Sequence, residues 1–158
     1  MFPPAILPQH QWLRQLGGQW SMEAFAPAHG NQPETRLSGT ETARSIGGLW
    51  LLLEGHSEMP GGGMAHTLMT LRYDEHRSEF IGTWVGSTMN VLWHYHGQLD
   101  EAAQTLTLCC EGPVFDTGEP CEPANTFKTT QYRDIIRIVD AQTRTLTSMV
   151  LTRDGQWT

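Results

Sequence analysis

The chain opens on a helical stripe and then switches to alternation. Pro8 presets a first helical turn, Trp12, Leu13 and Leu16 fall on one face at helical spacing, and Gly17-Gly18 ends the segment. So short a helix is not stable alone and must lie against a core. From Trp20 the period becomes two. Trp20, Met22, Ala24 and Ala26 alternate with Ser21, Glu23 and Phe25, which predicts a first strand with Trp20 facing inward. Burying an indole of about 200 Å² at about 25 cal/mol per Å² contributes at most about 5 kcal/mol, so anchoring the fold is the first expectation for Trp20, ahead of ligand contact.

Further strands are predicted at about 37–46, 49–56, 67–73, 78–88, 91–97, 105–111, 127–139 and 145–153. Gly47-Gly48, Asp74-Glu75-His76-Arg77, Asp100-Glu101-Ala102-Ala103 and Asp140-Ala141-Gln142-Thr143 read as short turns, so neighbouring strands are antiparallel. No helix of crossover length interrupts them, and a sheet this long tends to close on itself. The expectation is one all-β domain over 1–158: an antiparallel up-and-down β-barrel of about nine or ten strands, with a short N-terminal helix capping one end. Asp154-Gly155 is a strong hairpin signal followed only by Gln156, Trp157 and Thr158. A closing strand therefore looks missing, and the edge beside 145–153 calls for cover from another segment or a second protomer.

His10-x-Trp12-Leu13-x-x-Leu16-x-Gly18-x-Trp20, Gly47-Gly48 before an apolar strand, Tyr73-Asp74, Thr83-Trp84-Val85 and Gly97-x-x-Asp100 stand in an order and spacing that resembles a known group. The chain is similar to the lipocalin-like domain-of-unknown-function family numbered 1579, and the likeness covers nearly all of it. The resemblance implies a calycin-type barrel and no established chemistry. It makes Trp20 the tryptophan near the closed end, Tyr73-Asp74 a hairpin corner, Trp84 the tryptophan of the following strand and Arg133 an arginine on a late strand. Gly86 stands where an aspartate is expected after Trp84-Val85, which removes a carboxylate that could have carried acid-base work.

Charge narrows the partners. The formal net charge is −7, and the ten Lys and Arg are spread without a cluster, which argues against nucleic acid and against an anionic membrane surface. No basic leader and no spanning apolar run is read in the sequence, so a cytoplasmic protein is expected. Cys109 and Cys110 are neighbours that must point to opposite faces of a strand, and with Cys121 they are expected as free thiols; a disulfide from Cys121 to one of the pair is the alternative.

His94-Tyr95-His96 is the sharpest local feature, because a one-residue gap on a strand sends both imidazoles to one face, where a zinc or haem iron could be shared. His56, His66, His76 or a cysteine would have to supply the third ligand. Against this, Val91, Trp93 and Tyr95 form the more apolar side and are expected inward, which leaves the histidines exposed or at a rim. Ser87, Cys109 and Cys110 lack the surroundings of an activated nucleophile, and Gly61-Gly62-Gly63 lacks the lysine of a phosphate cradle. No cofactor and no catalytic residue is assigned.

The functional expectation is a barrel that holds a small, mostly apolar molecule against Trp20, Trp84, Trp93 and Tyr95, with Arg133 fixing a polar head group. Arg133 pairing with Glu41 or Glu54 is its structural alternative. The rival reading is an interaction module, filled by its own side chains, that forms a homodimer through an open strand edge or the Val114-Phe115 loop. A weaker alternative is a haem or metal protein using His94 and His96.

Overall fold

The structure, a computed structural model, describes residues 4–28, 31, 33–115 and 129–158. One helix, α1 (Pro8–Arg14), precedes nine strands: β1 (Gly18–Ala26), β2 (Thr35–Ile46), β3 (Trp50–Glu58), β4 (Met64–Asp74), β5 (Glu79–Gly86), β6 (Trp93–Asp100), β7 (Thr105–Pro113), β8 (Thr129–Asp140) and β9 (Thr143–Val150). Each strand pairs antiparallel with the next, so the predicted all-β up-and-down sheet forms, curled into a half-barrel whose two ends are β1 and β9. Among the described residues no helix is long and apolar enough to cross a membrane.

The inward face follows from alternation. Leu51 and Leu53 of β3, Met69 and Leu71 of β4, Phe80 of β5, Trp93 and Tyr95 of β6, and Leu106, Leu108 and Cys110 of β7 are all buried. Ile136 continues this row on β8. Three inward glycines mark where the sheet bends: a Cβ on Gly39, Gly82 or Gly97 would lie 2.2 Å from His56 O, 2.0 Å from Thr70 O or 2.1 Å from Thr107 O. Only hydrogen fits beneath so close a neighbouring backbone, and that absence of a side chain lets the sheet curl.

The helix seals one end as its stripe predicts, with Trp12, Leu13 and Leu16 buried. The Trp12 indole donates to Gln104 Oε1 at 3.0 Å, tying α1 to the turn between β6 and β7. His10 is buried, yet both ring nitrogens are satisfied: Nδ1 accepts from the Leu7 amide at 3.0 Å, and Nε2 lies 3.1 Å from the Tyr73 carbonyl. That pairing requires the neutral ring with its proton on Nε2.

The chain's end differs from expectation. β9 stops at Val150, and the turn through Asp154-Gly155 brings the next residues back: Leu151 bridges Trp157, and Val150 and Thr158 exchange backbone bonds of 2.9 and 3.1 Å. The cover sought for this edge is thus a segment of the same chain, over its last residues. Strand 91–97 runs instead from Trp93 to Asp100, and strand 127–139 is seen from Thr129, because Phe127, like Cys121, falls outside the described residues.

Candidate functional site

At the end away from the helix the concave face is aromatic. Trp84 and Trp93 are register partners on β5 and β6. Trp93 packs edge-on against Tyr132 at 4.8 Å between centroids and meets Phe115 at 6.3 Å, while its indole N–H donates to Met89 Sδ at 3.1 Å. Room for the two indoles comes from missing side chains: a Cβ on Gly86 would lie 2.4 Å from Trp84, and one on Gly112 would lie 2.1 Å from Trp93. In the Val114-Phe115 loop, Phe115 rests on this cluster while remaining 55% exposed.

Below the aromatics lies a polar group that sequence reading missed. Asp134 of β8 accepts from the Tyr95 hydroxyl through Oδ2 and from the Ser148 hydroxyl, at 2.6 Å, through Oδ1. Tyr95 is buried, Asp134 is partly covered and Ser148 is exposed, so this short chain of hydroxyls and carboxylate runs from the core out to solvent. Burial first, and then the charge of Asp134, hold the Tyr95 hydroxyl well above the ordinary tyrosine range, which keeps it a proton donor. Burial and the same carboxylate push the Cys110 thiol up to about 12. Burial also raises Tyr132.

Where the half-barrel's two ends approach, side chains do the joining. Arg144 of β9 pairs with Glu41 of β2 and lays its guanidinium over the Trp20 indole of β1, 4.5 Å from the ring centroid. The indole N–H of Trp20 donates to Leu16 O at 3.0 Å, so the expected anchor is present, half-buried rather than enclosed. Beyond this clasp the inward side of β9 is left open among the described residues: Leu146 shares the face of Ile136 and Arg144, yet it is 50% exposed, and Ser148 is exposed beside Asp134. Met22, Ala24 and Leu37 are the partly covered inward residues of β1 and β2. A surface depression of about 420 Å³ is lined by Glu23, Ala24, Phe25, Arg36, Leu37 and Ser38.

The residues singled out in the sequence therefore separate. Trp20, Trp84, Trp93 and Tyr95 share the concave side, but Trp93 and Tyr95 are 7% and 6% exposed and fill space themselves. Arg133 does not face inward: its register partners are Cys109 and Met149, the inward residues of β8 include Tyr132, Asp134, Ile136 and Ile138, and its guanidinium stacks 3.9 Å from the Trp157 ring centroid. The arginine that meets Glu41 is Arg144, and the one near Glu54 is Arg44, at 3.7 Å. His94 and His96 are exposed on the outer side, where they cannot reach a group held inside. Among the described residues no three His, Cys, Asp or Glu side chains converge to hold a metal. His56 and His66 do meet, as register partners on the convex face with ring centroids 4.6 Å apart.

No curated protein sequence matches the chain. The model of a family described as protein of unknown function DUF1579 matches residues 6–158, and the strand order, the plugging helix and Trp20 all lie within that match. The chain belongs to the DUF1579 family.

Proposed function

We propose that the protein binds a small, mostly apolar molecule on its concave face, in the open stretch between β9 and β1, in the manner of a lipocalin-like carrier. The observation that carries this reading is Leu146, an inward-facing leucine of a curled sheet that stands half exposed beside Asp134 and Ser148. An apolar wall with a few convergent polar groups is the usual make-up of a small-molecule site, and such sites occupy about 300–1,000 Å³. Met22, Ala24 and Leu37 supply the opposite wall. Trp93, Tyr95 and Tyr132 stiffen the site from behind rather than line it.

Titration with the neutral apolar dye Nile red tests the reading. A blue-shifted, saturable signal at one dye per chain is expected, and Leu146→Glu weakens it about ten-fold, the worth of one leucine contact. No saturable binding, or binding unchanged in Leu146→Glu, would sink the proposal. Leu146 is exposed enough for the variant to fold.

A second reading draws on β1, whose outer edge has no strand beside it among the described residues and whose Phe25 is 55% exposed. Such an edge can pair with that of a second copy. Concentration-dependent dimerisation, abolished by a proline at Met22, would favour it over ligand carriage.

A further inference from the structure

We infer that the polar end of the molecule held in this groove is a hydrogen-bond donor, an alcohol or a protonated amine, and not a carboxylate. The inference rests on the concave-face reading and adds to it the chemistry of the head group. It follows from which charged side chains the inward face carries. Glu41 and Arg144 neutralise each other across the clasp. Arg133, the arginine that would have received an anion, is turned to the outer face and stacked on Trp157. What remains facing inward beside Leu146 is Asp134, and none of the ion pairs among the described residues includes it.

The hydrogen bonding of Asp134 is incomplete in a directional way. An ionised carboxylate has about four acceptor positions and no donor, and the Tyr95 and Ser148 hydroxyls occupy two of them. Tyr95 spends its proton on Oδ2, so it offers none to an incoming anion. Ser148 is the solvent-side member and the one a ligand displaces most easily, because its residue is exposed while Tyr95 is buried. A hydroxyl or ammonium arriving along Leu146 would meet a ready acceptor. A carboxylate would meet a like charge where water is partly excluded, on a chain whose formal net charge is already −7.

Three probes with one tail and different heads decide the matter: octylamine, octanol and octanoate, titrated at pH 7 with tryptophan fluorescence and calorimetry. The expected order of affinity is octylamine, then octanol, then octanoate, with the first and last separated by at least about ten-fold. Asp134→Asn should bring octylamine and octanol together. Because that variant also alters a core contact, Ser148→Ala is the companion: it removes the competing hydroxyl at the surface and should strengthen octylamine binding several-fold without helping octanoate.

Octanoate binding as tightly as octylamine in the wild-type chain overturns the inference and leaves apolar binding standing. Octylamine affinity unchanged in both variants overturns it as well, by placing the head group elsewhere. If none of the three binds, the concave-face reading fails and takes the inference with it.

Discussion

The indole of Trp93 occupies the space that a side chain at Gly112 would need, with Cζ3 2.1 Å from where a Cβ would stand. Glycine at 112 is therefore half of the aromatic cluster's packing. Gly112→Ala must displace a ring that is also held by Met89 Sδ and Tyr132. The expected cost is about 1–3 kcal/mol, typical of overpacking, read by denaturant unfolding together with a changed near-ultraviolet tryptophan signal. A variant as stable as wild type, with the same spectrum, would show that Trp93 is not fixed there.

Gly82 gives a sharper case. The obstacle is the Thr70 carbonyl oxygen, 2.0 Å from the missing Cβ, and a strand backbone cannot rotate aside as an indole can. Gly82→Ala is accordingly expected to lose more stability than Gly112→Ala, since it must flatten the β4–β5 curl itself. Parallel urea titrations of the two variants check the order.

The architecture was legible because its signals are local. Trp12, Leu13 and Leu16 at helical spacing, glycine pairs, and Asp-led turns between alternating runs are each readable within a dozen residues, and the sheet follows in chain order. The site was less legible because both parities of β8 mix apolar residues with charge. Ile135 and Val139 stand with Arg133 and Arg137 on one side, and Tyr132, Ile136 and Ile138 stand with Asp134 on the other. Register with Leu106, Leu108 and Cys110 of β7 makes the second set inward, which moves Arg133 out and Asp134 in. That choice depends on contacts between strands distant in sequence, as does the 39-residue separation of Tyr95 from Asp134. The stretch from Tyr132 to Ile138, read for a lone acid among inward apolar residues, held the available signal.

Arg144 is expected to act as the clasp of the half-barrel. Its side chain is 12% exposed and that of Glu41 22%, so the pair is shielded from solvent more than a surface bridge, and the Trp20 ring adds cation–π contact. Arg144→Ala strands Glu41 beside an indole and should cost about 1–3 kcal/mol. Arg144→Ala with Glu41→Gln should recover part of this, because no unmatched charge is left. Amide exchange in β1 and β9 should rise in the single variant ahead of exchange in β4 and β5. Uniform loss of protection across the sheet would instead mean that the contact has no special part in joining its ends.

Alkaline stability should report on the buried hydroxyl and thiol. Both Tyr95 and Cys110 have raised values in the folded protein, so the unfolded chain releases protons first as pH rises, and folding is opposed from that point upward. For Cys110 the window opens near the ordinary thiol value of about 8.5. It closes near its folded value of about 12. Tyr95 adds its part above the ordinary tyrosine value of about 10. Stability is thus at its full value below pH 8 with respect to these two groups and declines steadily above it. Cys110→Ala removes the earlier part of the slope and Tyr95→Phe the later part, although the phenylalanine also takes a donor from Asp134 and lowers stability at neutral pH. In the native protein at pH 8, Cys110 should resist a thiol reagent until the chain is unfolded, because it is buried and its thiolate is disfavoured. Rapid labelling of Cys110 in the folded state, or a flat stability profile between pH 8 and 11, would contradict its placement against Tyr95 and Asp134.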